Sequence, residues 1–227
     1  MTSAQATTRP YLWLHIKKSA GQSIRAGLGG NYVETDRSRP RPFAELPTEE
    51  WNDALNNYRM DLQGYEVRRM LFARDYLFDD LGERYCFAFV RNPFDRAVSA
   101  WRYLSQGARW RDLHLASTRR SFRRFLMLVE QQQTERTHRH VFTHTAPMWP
   151  DVSDDSGRLL LDFVGRFENL EHDYASVCRE LAIQAPSLPR RNVSDRPMSY
   201  RSAYDRETRA MVESLYGADL ERFDYDF

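Results

Sequence analysis

Tyr11 to Ser23 reads YLWLHIKKSAGQS, and the reading of this stretch decides the fold. Tyr11 to Ile16 is short, mostly apolar and aromatic, which is the pattern of a buried strand. Lys17 to Ser23 follows as a loop that contains Gly21, and Ile24 onward opens a helix that ends near Gly29 and Gly30. The order is strand, phosphate-sized loop, helix. Farther along, Tyr85 to Val90 (YCFAFV) is a second buried strand, ended by Arg91-Asn92-Pro93. Pro93 suits a first helical turn, and Ala97, Val98, Trp101 and Leu104 then recur at helical spacing.

The rest of the chain extends this alternation. Arg37 to Pro47 carries three prolines and several arginines and reads as a surface loop. Glu49 to Leu55 and Tyr65 to Leu71 read as weakly patterned helices, and Phe122, Phe125, Leu126 and Val129 mark an amphipathic one. Leu159 to Val164 (LLLDFV) is a third strand candidate. Leu170, Tyr174, Val177, Cys178 and Leu181 form a helix stripe. A loop with Pro186, Pro189 and Pro197 leads to a last helix that buries Met211, Leu215 and Tyr216. Strands alternating with helices predict an α/β fold with a mainly parallel central sheet, flanked by helices on both faces.

Composition sets the outer bounds. The 227 residues suit one domain, residues 1–227, with enough chain to bury a core. Hydrophobic residues make up 41% and aromatic residues 13%, a globular composition. Lys and Arg number 33, yet the net charge is only +1, which argues against a nucleic-acid coat while leaving room for a local basic pocket. Cys86 and Cys178 lie far apart with no CxxC spacing and read as small core residues. Met1 to Pro10 is polar, and no apolar run approaches the roughly 20 residues that span a bilayer. The expectation is a cytoplasmic protein with no membrane partner; the oligomeric state is not readable.

The loop His15 to Ser23 (HIKKSAGQS) has the chemistry of an anion site. A loop between a strand end and a helix start aims backbone N–H groups at one spot. Ser19, Ala20 and Gly21 are small enough for an anion to approach closely, Ser19 and Ser23 add hydroxyls, and Lys17 and Lys18 add charge. The lysines precede the glycine, so this is not the GxxxxGK[ST] loop of nucleotide triphosphatases. Taken alone, an ordinary βα turn with solvated lysines fits equally well. At a second strand end, Arg91 offers a planar fork for a phosphate and Ser99 lies two turns into the following helix. The alternative pairs Arg91 with Asp95 and makes Ser99 a packing residue. Two anion sites at the carboxyl ends of parallel strands make a stronger pattern than either alone.

At these residues the chain resembles the sulfotransferases that use 3′-phosphoadenosine-5′-phosphosulfate (PAPS), in particular the carbohydrate-type group called sulfotransferase family 2. HIKKSAGQS is similar to the family's HIPKTAGTS, and Phe89 to Trp101 (FVRNPFDRAVSAW) is similar to its FVRNPxxRxxSxY. Val164 to Tyr174 (VGRFENLEHDY) resembles its FVGRFENL string, and Leu188 to Thr208 followed by FDYDF resembles its C-terminal part. The resemblance implies a P-loop-like three-layer fold that binds PAPS with no metal and releases PAP. It implies that Lys17, Lys18, Ser19, Ala20, Gly21, Gln22 and Ser23 hold the 5′-phosphosulfate, that Arg91 and Ser99 hold the 3′-phosphate, and that Tyr200 and Arg201 close over the nucleotide. Lys17 stands where the family has proline, Gln22 where it has threonine, and Thr143-His144 where it has Pro-Gln.

By analogy with phosphoryl transfer, catalysis would rest on positioning and electrostatic stabilisation, with Lys18 against the leaving oxygen. Candidates for a general base are Asp61, His140 and His144; Asp61 reads equally as a cap or solvated acid, and the two histidines as surface residues. Residues 102–160, which lie between the nucleotide motifs, are expected to face a small-molecule or glycan acceptor, with Trp110 and Trp149 suited to stacking on a sugar or to packing in the core. Two rivals remain. A P-loop kinase or NTPase would need a strand-ending acid such as Asp162 for Mg²⁺. A non-catalytic PAP- or RNA-binding module would use Arg119-Arg120, Arg123-Arg124 and Arg190-Arg191, which read equally as solvated helix faces, so no nucleic-acid partner is expected.

Overall fold

In a computed structural model, residues 9–106, 116–184, 187–188 and 199–227 are described. Trp110, Arg190-Arg191, Pro186, Pro189 and Pro197 lie outside them. The principal elements are β1 (Tyr11–Leu14), α1 (Gly21–Leu28), α2 (Trp51–Leu55), α3 (Arg69–Phe72), β2 (Tyr85–Val90), α4 (Pro93–Leu104), α5 (Phe122–Glu135), α6 (Arg139–Thr145), β3 (Phe163–Arg166), α7 (Leu170–Glu180), α8 (Arg206–Leu215) and α9 (Gly217–Arg222). They fall into two compact units. One comprises residues 1–90 and 150–192, the other residues 91–149 and 193–227.

The first unit holds a parallel sheet of order β1-β2-β3, so the mixed α/β class expected from the alternation is what forms. All six residues of β2 are buried, as a central strand covered on both faces requires. On one face Trp13, Phe87 and Phe89 pack with Ile24 and Leu28 of α1 and with Tyr174 and Val177 of α7. The helix stripe read from the sequence is therefore the sheet-facing side of α7. Both cysteines are buried and unpaired. Burial, aided by the Asp162 carboxylate, pushes the Cys86 thiol up to about 12, consistent with an inert core residue.

The third strand starts four residues later than the LLLDFV run suggests. Leu159 forms only an isolated antiparallel bridge with Ser153, and Leu160 N–H donates to the Val152 carbonyl. Pairing with β2 begins at Phe163, opposite Phe87. Hydrophobicity alone did not separate these two uses of an apolar run. Gly165 has a packing reason: a Cβ there would lie 2.5 Å from the Phe89 ring. Asp162 stands just before β3, at the start of the strand, where its Oδ2 accepts the Cys86 N–H at 2.7 Å. This overturns the reading of Asp162 as a strand-ending metal carboxylate.

β1 is an edge strand, and α2 covers its outer edge with side chains in place of another strand. Asn52 Oδ1 accepts Trp13 N–H at 3.2 Å and its Nδ2 donates to the Trp13 carbonyl at 2.8 Å. Asn56 Oδ1 accepts His15 N–H at 2.7 Å and its Nδ2 donates to the same Trp13 carbonyl at 2.7 Å. Two asparagines one helical turn apart thus reproduce a strand's ladder, which satisfies the edge and blocks further pairing. The helix expected over Glu49–Leu55 forms as a 3₁₀ turn over Thr48–Glu50 that runs into α2, and the one expected over Tyr65–Leu71 begins at Arg69 and continues as a π-helix over Ala73–Leu77.

The second unit is helical. Phe94 and Val98 of α4 pack with Phe125 and Val129 of α5 and with Val212 of α8. The starts of α4 and α8 are capped by side chains. Asn92 Oδ1 accepts Phe94 N–H ahead of Pro93, and Asp205 forms a reciprocal capping box with Thr208. Asp219, fully buried, accepts the Met148 and Trp149 N–H groups at 2.7–2.9 Å.

Candidate active site

The loop from β1 to α1 is tighter than its sequence announces. Lys18 and Ala20, neither of them glycine, take φ of 70° and 62°. The left-handed region costs an L residue roughly 1–2 kcal/mol, and two such residues flanking Ser19 persist only because their surroundings over-determine them. Ser23 and Ile24 N–H both close on the Ala20 carbonyl, at 2.9 and 3.1 Å. α1 starts at Gly21, not at Ile24, with no side-chain cap and no acidic residue in its first turn. Its positive N-terminal end is therefore not neutralised by its own residues. Ser19 is 1% exposed, and its Oγ has no hydrogen-bond partner among the described residues. A buried hydroxyl of this kind costs stability unless something accepts or donates to it. Lys18 is half-buried and Gln22 exposed on the same loop. The arrangement fits the oxygens of a phosphate or sulfate ester.

Gly21 has a reason the sequence did not show. A Cβ there would lie 1.8 Å from His15 Nε2 and 2.0 Å from its Cδ2. The imidazole occupies the place of a side chain on the first residue of α1. His15 is itself buried and stacked on Trp13 at 5.2 Å and 16°. Burial, and then the positive charges of Lys17, Arg25, Arg37 and Arg69, hold its pKa well below the usual imidazole range, so the ring is neutral. Lys17 turns its amine inward, donating to the Asn56 carbonyl at 3.3 Å and lying 3.5 Å from His15 Nδ1. Burial and the charges of Arg69, Arg37 and Arg25 push that amine well below the lysine range, with Asp53 opposing.

Below the loop lies a buried polar network absent from the sequence reading. Asp53 is fully buried and accepts from Arg37 Nε at 2.8 Å, Tyr32 Oη at 2.8 Å and Thr35 Oγ1 at 2.9 Å, with Arg25 Nη2 at 3.3 Å. Burial raises the Asp53 pKa, yet the Arg37, Tyr32 and Thr35 hydrogen bonds outweigh it and hold the carboxyl below the ordinary range. Arg69 Nε contacts both Asp151 oxygens at 3.1 Å, and its other nitrogens reach Asn56 Oδ1 at 3.1 Å and the His15 carbonyl at 3.2 Å. Arg37 opens the expected surface loop but turns its half-buried guanidinium inward onto Asp53. Asp61 is exposed and caps a turn by accepting Gln63 N–H at 2.9 Å.

In the second unit, Arg91 Nε and Nη2 sit 2.9 and 2.8 Å from Asp95 Oδ2, so the ion-pair alternative is realised. Ser99 is half-buried on α4. Tyr200 and Arg201 open a 3₁₀ turn, where Arg201 Nη2 donates to the Phe227 main-chain oxygen at 2.8 Å and its guanidinium stands over the Phe227 ring. His144 is 7% exposed, stacks on Tyr103 at 5.2 Å, and lies 4.3 Å from the His140 ring, centroid to centroid. Its Nδ1 is 2.8 Å from the His140 carbonyl oxygen. A carbonyl only accepts, so Nδ1 carries the proton and Nε2 is the basic nitrogen. Trp149 packs edge-on to Phe223 at 5.6 Å. Arg123 and Arg124 are exposed, and Arg123 pairs with Glu207 at 2.7 Å, as a solvated helix face does. Among the described residues no group of three or more His, Cys, Asp or Glu could hold a metal ion, and no helix is long and apolar enough to cross a membrane.

No curated protein matches the chain. Among solved structures, the crystal structure of a sulfotransferase from Alicyclobacillus acidocaldarius is similar at 18% identity and a TM-score of 0.48, over 96% of this chain and 99% of that one. The model of the Sulfotransferase family matches residues 5–226. That match takes in the β1–α1 loop, the RNP string after β2 and the C-terminal helices together, and the chain belongs to the Sulfotransferase family.

Proposed function

We propose that the chain moves a sulfuryl group from PAPS to an acceptor hydroxyl on a carbohydrate or small molecule and releases PAP. Family membership supports sulfotransfer, and the observation that carries the donor reading is the loop around Ser19. Two left-handed residues, an uncapped helix start and a buried hydroxyl with no hydrogen-bond partner among the described residues together support reading this loop as a receptor for ester oxygens. PAPS would supply the activated sulfuryl group. The loop N–H groups with Ser19 and Ser23 would hold its 5′ end, and the Lys18 charge would stabilise the leaving phosphate oxygen. Arg91 and Ser99 would hold the 3′-phosphate, with Asp95 pre-orienting the guanidinium, and Tyr200 and Arg201 would lie along the nucleotide.

Of the three base candidates, His144 has the best support, because its Nδ1 contact leaves the basic lone pair on Nε2. Asp61 is committed to a turn. The experiment is a PAPS-coupled screen of glycans, phenols and alcohols, reading PAP release. One acceptor class that yields PAP and sulfated product in equal amounts is expected. A chain that binds no PAP and turns over none of the panel would remove the proposal.

A further inference from the structure

The left-handed residues of the loop need a restraint, and the side chain of His15, where the loop leaves β1, lies against its far end. The His15 imidazole lies where Gly21 would carry a side chain, with three ring atoms within 2.6 Å of that Cβ position. Gly21 directly follows Ala20, whose φ of 62° is one of the two strained angles. The ring has little freedom to leave. Trp13 stacks on one face, Lys17 Nζ lies 3.5 Å from Nδ1, and the His15 main-chain N–H is fixed to Asn56 at 2.7 Å. A neutral ring in this place adds no charge to an anion site; its contribution is shape.

We propose that His15 is a positioning residue for sulfuryl transfer: its ring, wedged against Gly21 and steadied by Lys17, holds the backbone turn that aims the loop's donors. The inference rests on the reading of this loop as the PAPS site. It also gives Lys17, which stands where related loops have proline, a defined task. The chain replaces a rigid ring in the backbone by a side-chain clamp on a neighbouring ring.

The test uses the full chain and three variants, His15→Asn, Gly21→Ala and the double variant His15→Ala/Gly21→Ala. PAP affinity is read by calorimetry, kcat and KM by PAP release from PAPS, and folding by thermal melting. His15→Asn keeps an acceptor for Lys17 but removes the ring edge from Gly21. Its kcat is expected to fall on the order of 100-fold, as ~1 Å misplacement of catalytic groups does, with the acceptor KM unchanged. Gly21→Ala is expected to destabilise through the clash. The double variant is expected to recover the melting temperature while its kcat stays low, a split that a purely packing role would not give. A folded His15→Asn chain with kcat and PAP affinity within twofold of the parent overturns the inference, as does a double variant that recovers kcat and melting temperature together. A parent chain that binds no PAP removes the donor reading and this inference with it; parental PAP binding with an unaltered His15→Asn removes the inference alone.

Discussion

Replacing Asn56, which directly follows α2, by alanine should cost several times as much as the same change at Asn52. The side chain is 1% exposed and makes four contacts: His15 N–H at 2.7 Å, Arg69 Nη1 at 3.1 Å, the Trp13 carbonyl at 2.7 Å and Tyr32 Oη at 3.3 Å. Three of these partners keep a second bond. Trp13 retains Asn52, Arg69 retains Asp151, and Tyr32 retains Asp53. Only the His15 N–H loses its one strong partner inside the protein. One orphaned buried donor costs about 1–3 kcal/mol, and three weakened bonds add roughly 0.5–1.5 kcal/mol each at most. The expected loss is about 3–5 kcal/mol. At ~2–4 °C per kcal/mol for a chain of this size, the melting temperature falls by about 10 °C. Asn52→Ala is the internal control, because Asn52 is half-buried and water can replace its bonds; it should cost about 1 kcal/mol. Urea unfolding of both variants at pH 7 reads the difference. An Asn56→Ala chain that loses less than ~1 kcal/mol, or an Asn52→Ala chain that loses more than it, would refute the view that side chains stand in for a strand at this edge.

Three further outcomes follow from the same geometry. Gly165→Ala places a methyl 2.5 Å from the Phe89 ring in the middle of the sheet, and should cost about 1–3 kcal/mol in urea unfolding; a neutral substitution would mean that the ring moves freely. The Asp53 carboxyl is held below its ordinary range in the folded chain, so its contribution is complete above the unfolded value of about 4 and is lost as pH falls through the lower folded value. Acid unfolding curves should therefore steepen below about pH 4, and Asp53→Asn should flatten that limb. His144→Ala should lower kcat by 10²–10⁴-fold, the usual range for a general base, and leave PAP affinity unchanged; a parental kcat would return the base to Asp61 or His140.

Where local chemistry and tertiary packing ask for the same thing, the sequence is legible. YLWLHI, whose first four residues form β1, and YCFAFV are legible as buried strands because both runs are apolar and aromatic, and the α7 stripe points to the sheet it covers. The third strand was displaced because Leu159 and Leu160 serve a bridge to Ser153 and Val152, which only tertiary pairing decides. The edge amides of Asn52 and Asn56 and the inward-turned Arg37 give no periodic signal, since single polar contacts have no period. The β1–α1 loop is legible as a candidate anion site through its small residues and lysines. The ring that makes Gly21 necessary is not, although His15 and Gly21 stand in the same motif. A contact between residues six apart across a turn is visible only once the turn's angles are known.

Lys18 remains the centre of the account, and PAP release from PAPS in the presence of an accepted hydroxyl substrate tests it most directly. The parent chain should release PAP in proportion to sulfated product. Lys18→Ala should lower kcat by about 10²–10³-fold, the scale for removing one stabiliser of developing negative charge, in a chain that still melts cooperatively. Near-parental PAP release by folded Lys18→Ala would contradict the account.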